Sequence, residues 1–407
     1  MSTVCLSMIV KNETHIIHEC LDSISPHIDY WVIVDTGSTD GTQELIKKYF
    51  AEKGIPGELH QRPWVDFGHN RSEALALCDG KADYAWMIDA DDRIVGNFVY
   101  PNGKNLIHDG YALKCGRDQC VWWRNQIFKT GIGWKYVGIL HEYAHCDKQP
   151  LQQMKIDGDY HLEARTIGHR NVNVTPVEKY SKDAIVLEKA LEKEPNNTRY
   201  QFYLAQSYFD SQQWDKAIAA YYKRVEMGGW EEECYYSLFR IALCEISKES
   251  PWTTVQQKFL DSYDFRPCRA EPLHAIARFL RMNGRPRAAY LFAKEAAQIP
   301  YPHQDILFID NNVYNWMALD ELGSTAFYVH DYMTGLAACE KLLKENRLPQ
   351  SEIERNQKNH ASYMERINQI KASHPDALNM LRSSPIGQPM VTTINTVKAK
   401  TFKKRKR

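Results

Sequence analysis

Two apolar runs, YWVIVD at 30–35 and YAWMID at 84–89, each end on an aspartate. Short unbroken apolar runs of this kind fit strands buried on both faces of a sheet. TVCLSMIV (3–10) is a further β-rich run. Helical patterns separate them: HIIHECLDSI spaces Ile16, Ile17, Cys20, Leu21 and Ile24 on one face. DGTQELIKKYFAEKG reads as a helix with Asp40 as its N-cap and Gly54 as its stop, and RSEALALC (71–78) as another. Such alternation predicts a mostly parallel sheet with helices on both faces. Ligands of these sheets bind beyond the carboxyl ends of the strands, where Asp35 and Asp89 stand. Asp91 and Asp92 crowd in behind Asp89. Like charges packed together cost free energy unless a cation neutralises them or water solvates them, so the cluster is either a site or a solvated acidic turn.

From about residue 178 the pattern becomes continuously helical and repeats. Leu187, Ala190 and Pro195 open a half-unit; Leu204, Ala205, Tyr208, Ala217 and Tyr221 form a full one. Ala288, Phe292 and Pro300 mark a later unit, and Leu322, Gly323, Ala326, Gly335 and Leu342 another. The spacing resembles degenerate tetratricopeptide repeats, helix pairs of about 34 residues that stack into a solenoid. The predicted organisation is an α/β domain at 1–177, helical repeats at 178–347, a C-terminal helical segment at 348–382 and a basic, disordered tail at 383–407. The first repeat helix is expected to pack on the α/β domain. The terminal KKRKR either contacts nucleic acid, anionic lipid or an acidic partner, or serves as a solvated tail, the favoured reading.

Lys and Arg together number 51, as do Asp and Glu, so net charge favours neither nucleic acid nor a membrane surface. The start MSTVCLSMIVKNE lacks a signal peptide's basic opening, and no apolar run approaches the ~20 residues a membrane helix needs. The ten cysteines include no CxxC pair, which leaves neither a zinc site nor a disulfide framework implied. A cytoplasmic protein with reduced thiols is expected.

SMIVKNE, VDTGSTDGT, WVDFGHNRSEAL and MIDADD, in this order, together resemble the nucleotide-sugar-binding half of inverting glycosyltransferase family 2, which has the GT-A fold. RNQIF, GILHEY and the repeats resemble the branch of that family with tetratricopeptide-like repeats. The resemblance implies a nucleotide diphospho-sugar donor, a UDP-sugar being expected, and a divalent Mn²⁺ or Mg²⁺. Such a cation, held by hard oxygen ligands, stabilises the leaving diphosphate as a Lewis acid. It also implies that Asp35 faces the nucleoside, Asp89 the ribose and Asp91 the metal, with Asp92 in support. Thr36 follows Asp35 where many relatives carry a second Asp. Arg71 stands where the family has the arginine of its ARN motif and is placed to clamp the diphosphate; a plain helix-surface arginine is the alternative. Glu142 falls at the family's catalytic acid and is the expected general base. His141 would orient it or touch the diphosphate, and His161 is the expected second metal ligand, with His169 nearby in sequence. Trp134 reads as an acceptor platform or as core.

An inverting, metal-dependent glycosyltransferase is therefore expected, acting on a protein, peptide or glycan acceptor, with a protein partner possible on the repeats. The alternatives are a nucleotide-sugar-binding scaffold without catalysis and, because of the basic tail, a transferase acting on nucleic acid.

Overall fold

The computed structural model describes residues 1–117 and 120–373, so the basic tail expected at 383–407, and part of the segment expected at 348–382, lie outside it. Two compact units divide the chain, Met1–Pro251 and Trp252 onward.

In the first unit, β1 (Val4–Val10), β2 (Tyr30–Asp35), β3 (Gly57–Gln61) and β4 (Tyr84–Met87) lie side by side in the order β3-β2-β1-β4, all parallel. Beyond β4 the pairing turns mixed. β7 (Cys120–Lys129) runs antiparallel to both β4 and β6 (Gly110–Arg117), and β11 (Tyr160–Glu163) joins β6 to β5 (Arg93–Gly96). β10 (Gln153–Ile156) pairs with β6, and β8 (Lys135–Val137) forms a separate hairpin with β9 (Tyr143–His145). Of the described pairings in this sheet five are parallel, the three among β1–β4 and those of β10 and β11 with β6, and three are antiparallel, so the sheet is mostly parallel as expected, with β5 and β7 running against their neighbours.

Period-two alternation explains the two cores. Val4, Leu6, Met8, Trp31, Ile33 and Trp86 share one cluster with residues of α1 (Ile17–Ile24) and α2 (Thr42–Lys53). Their neighbours Cys5, Val32, Val34, Ala85 and Met87 point the other way, against Ala74 and Leu75 of α3 (Phe67–Ala76). α2 begins one residue later than expected: Gly41, at φ 93°, is its cap, while Asp40 accepts from the Thr42 N–H at 3.1 Å and ties down Thr14. Gly54 stops it in the left-handed conformation, as expected. Trp134 is core, packed on Phe128 with its indole N–H donated to the Asp109 carbonyl at 3.0 Å.

Four helices complete the unit: α4 (Pro176–Lys193), α5 (Thr198–Asp210), α6 (Trp214–Glu226) and α7 (Glu231–Ser247), each packed on the next. A Thr175–Glu178 capping box starts α4. Their common core contains the expected Leu187, Leu204, Ala205, Tyr208, Ala217 and Tyr221, and also Leu140, with Phe67 and Ile139 against it. The second unit continues the pattern with α8 (Trp252–Phe265), α9 (Glu271–Met282), α10 (Pro286–Ala296), α11 (Ala318–Thr325), α12 (Tyr332–Lys344) and α13 (Gln350–Ser373). In α10 the buried small residues are Ala289, Ala293 and Ala296, the first of them one position on from the expected Ala288. Gly335 has no room for a side chain: a Cβ there would sit 2.1 Å from the Tyr363 ring. The described chain is thus an α/β domain followed by helix pairs of tetratricopeptide type.

Candidate active site

The carboxyl ends of β1, β2 and β4 open onto one region. At the end of β2, the buried Asp35 accepts from the Gly37 and Ser38 amides, both at 2.9 Å, and from Gln43 at 3.0 Å through Oδ1. Its Oδ2 is buried without a partner, an orphaned acceptor that a ligand donor would satisfy. Asn12, held at φ 57° beyond β1, binds the same turn, accepting from the Thr39 N–H at 2.8 Å and donating its own N–H to Ser38 at 2.9 Å.

Beyond β4 the chain turns, closed by the Asp92 N–H on the Asp89 carbonyl at 3.0 Å. The three aspartates consequently separate, where an extended segment would have set Asp89 and Asp91 on one side. Asp89 pairs with Arg71 of α3 and, at 3.5 Å, with Arg124 of β7. Burial pushes its carboxyl up, but the two guanidiniums outweigh this and hold it below the ordinary range. Asp92, almost fully buried, meets Arg124 at 2.6 Å. Asp91 turns to the 165–171 loop, where its Oδ2 accepts from the Ile167 and Gly168 amides at 3.2 and 3.0 Å. Burial, with the Asp89 charge beside it, raises Asp91 above its ordinary value. Glu13 is pushed up to about 7 by burial and by Asp91, against the pull of the His169 amide that it accepts at 3.2 Å.

Glu142 immediately precedes β9, in the loop of the β8–β9 hairpin. Its Oε1 lies 2.7 Å from Nε of Arg71, so one guanidinium bridges Asp89 and Glu142. Ser72 pins α3 to β8: its hydroxyl accepts from the Tyr136 N–H at 2.8 Å. Gly68 makes this approach sterically feasible, since a Cβ there would lie 2.4 Å from the Gly138 carbonyl.

His141 faces the helices. Its ring stacks on Tyr203 of α5 at 3.9 Å and 7°, and its carbonyl accepts two N–H bonds from Arg199, at 3.1 and 2.6 Å. The ring keeps one edge in solvent, yet the surrounding protein and the Arg199, Arg170 and Lys179 charges hold its pKa below the ordinary value. Arg170 in turn pairs with Asp183 of α4. Helices α4 and α5 therefore brace the 165–171 loop that binds Asp91 and the segment that carries Glu142.

The structure brings Asp35, Asp89, Asp91, Asp92, Arg71 and Glu142 to this end of the sheet. His161 lies apart, on β11 opposite Val95, four residues along the chain from Asp91. His169 adjoins Gly168, which binds Asp91, and its Nε2 is 3.4 Å from Asn12 Nδ2. Glu13, Arg124, Arg165, Arg199 and Tyr203 went unassigned in the sequence, although SMIVKNE and RNQIF contain the first two. Arg165 donates to the Asp91 carbonyl at 2.6 Å.

The site suits a divalent cation in its chemistry. Glu13 and Asp91 are hard-oxygen carboxylates pushed up by burial and by neighbouring carboxylate charge, Asp91 acting on Glu13 and Asp89 on Asp91, which a cation would relieve. Among the described residues no three His, Cys, Asp or Glu side chains are already gathered as a metal cage, so donor phosphate oxygens would complete the shell.

Residues 5–134 match the model of glycosyl transferase family 2. A lipopolysaccharide core biosynthesis glycosyltransferase of Rhizobium meliloti is 33% identical over 129 residues, which is 32% of this chain and 43% of that protein. A TPR repeat-containing protein of Synechococcus elongatus is 31% identical over 96 residues, 23% of this chain and 22% of that one. The matches thus span less than half the length of either curated relative. Among solved structures, S. aureus TarS 1–349 in complex with UDP-GlcNAc is 15% identical, covering 64% of this chain and 89% of that one, with a TM-score of 0.30. The N-terminal part of this chain is a glycosyl transferase family 2 domain, and tetratricopeptide-like helices follow it.

Proposed function

We propose that the protein is an inverting glycosyltransferase that moves a sugar from a nucleotide diphospho-sugar, a UDP-sugar first among the candidates, to a protein, peptide or glycan acceptor. The observation carrying this reading is the Arg71 bridge, which joins the strand-end Asp89 to Glu142, 53 positions further along the sequence. In this reading the acceptor hydroxyl oxygen attacks the anomeric carbon. The bond from that carbon to the diphosphate oxygen breaks and its electrons leave with the diphosphate, while Glu142 takes the hydroxyl proton. Asp35 and Asp89 hold the nucleoside, and Arg71 and Arg124 lie where the diphosphate charge would fall. Asp92 keeps Arg124 in place. When bound, Mn²⁺ or Mg²⁺ would be held by Asp91, with Glu13 beside it, and would stabilise charge on the leaving group. For a histidine ligand, His169 has better support than His161, because its neighbour Gly168 already binds Asp91.

A cytoplasmic setting fits the free thiols of the described cysteines. No described helix is long and apolar enough to cross a membrane. The test is incubation with UDP-glucose, UDP-N-acetylglucosamine, UDP-galactose and GDP-mannose, with and without Mn²⁺. Metal-stimulated release of nucleoside diphosphate is expected from one of them. Tight nucleotide binding without turnover of any would favour the scaffold reading.

A further inference from the structure

The segment that presents Glu142 is folded in a conformation that its own sequence does not favour. Gly138, at φ 110°, and His141, at φ 53°, bracket Ile139 and Leu140 in a sharp reversal, and His141 is a non-glycine residue in the left-handed region. Such a residue persists where its surroundings over-determine it. Here those surroundings come from the first repeat helices. Leu140 is buried in the α4–α7 core, with Ile139 packed against it. The His141 ring lies flat on Tyr203, and its carbonyl takes two N–H donors from Arg199. The Arg199 guanidinium is itself held between the Tyr143 and Tyr203 rings, at 4.9 and 5.1 Å. The residues on either side of Glu142 are therefore fixed by one helix, from positions 199 and 203.

We infer that Arg199 and Tyr203 are positioning residues for Glu142, so that the helical-repeat region supplies part of the active-site geometry as well as any docking surface. The inference rests on the reading of Glu142 as the base. It follows that loosening α5 should impair the chemical step while sparing the nucleotide, whose contacts lie at the ends of β2 and β4.

The test uses the full-length chain and the variants Arg199→Ala, Arg199→Lys, Tyr203→Ala, Tyr203→Phe and Glu142→Gln. Amide hydrogen exchange of residues 138–143 is measured beside UDP affinity and the hydrolysis of UDP-N-acetylglucosamine with Mn²⁺. Arg199→Ala and Tyr203→Ala should speed exchange in 138–143 selectively and leave UDP affinity within about twofold. Their kcat should fall about 10- to 100-fold, the scale expected when a reacting group is misplaced by about an ångström. Tyr203→Phe keeps the stacking face and should match the parent; Arg199→Lys should be intermediate, and added guanidinium should restore part of the Arg199→Ala activity. Parental exchange at 138–143 in both alanine variants would overturn the inference, as would exchange and UDP binding degraded alike across the domain. Glu142→Gln separates the two readings. If it hydrolyses donor at the parental rate, the base assignment fails, while the exchange data still decide whether α5 holds the segment.

Discussion

Arg71 lies between Asp89 and Glu142 with most of its surface covered, and it cannot give up its charge. Removing an arginine buried between two carboxylates leaves Glu142 without this ion partner and Asp89 with Arg124 alone, a loss of about 3–5 kcal/mol. Arg71→Met should therefore lower the melting temperature as well as donor binding, which makes it a poor probe of mechanism. Asp91 is a cleaner one. Its carboxyl is raised by burial and by Asp89, so its charged form costs stability above that raised value. Asp91→Asn removes this cost: at pH 7.5 the ligand-free melting temperature should stay level or rise. The added stabilisation by UDP with Mn²⁺, worth about 2.7 kcal/mol for the parent at a hundredfold excess over Kd, should vanish. A parental UDP–Mn²⁺ shift in the variant would remove Asp91 from the metal site. His141 gives a pH signature of opposite sign. A histidine held below its ordinary pKa contributes stability that is fully present above the unfolded value of about 6.5 and is lost progressively as pH falls from there through the folded value of about 4. His141→Phe keeps a ring on Tyr203 and removes the proton site. The parent should therefore lose more melting temperature than the variant between pH 7 and 5, measured in parallel scans.

At the scale of elements, the active site depends on how closely α3 approaches the β8–β9 hairpin. Gly68→Ala would place a methyl 2.4 Å from the Gly138 carbonyl, with backbone on both sides. We expect the hairpin to shift, donor hydrolysis to drop at least tenfold and UDP affinity to change little; unchanged hydrolysis in a folded variant would show that the hairpin does not set the rate. Leu140→Ala, which empties part of the helical core, should cost roughly 2–4 kcal/mol by denaturant titration. The strands and the residues at their ends were legible because a buried strand ending on a carboxylate declares itself in a single run, as 30–35 and 84–89 do. The turn at 89–92 was not, because its closing bond, Asp92 N–H to Asp89 carbonyl, breaks the period-two pattern that the sequence suggests. Nor was His141's partner: Tyr203 is 62 residues away on an amphipathic helix whose pattern shows which face is apolar but not what covers it. The same limit hides the place of His161, which sits in a strand register opposite Val95 that only sheet pairing reveals.

For the whole molecule, the sequence turns to helical period near residue 178, α4 starts at Pro176, and the compact unit runs on to Pro251. A fragment 1–251 should therefore fold and hydrolyse donor, whereas 1–177 exposes Leu140, Ile139 and Phe67 and should aggregate or lose hydrolysis. Equal hydrolysis by soluble 1–177 would mean that α4 and α5 are dispensable to the site. The central claim, that Glu142 is the base of a sugar transfer, is tested most directly by Glu142→Gln in the full chain, with turnover and UDP–Mn²⁺ binding measured on the same sample. Gln keeps the size of the side chain but cannot take a proton. The account predicts that turnover falls about 10²- to 10⁴-fold while the binding constant stays within about threefold of the parent; parental turnover by a stable variant would contradict it.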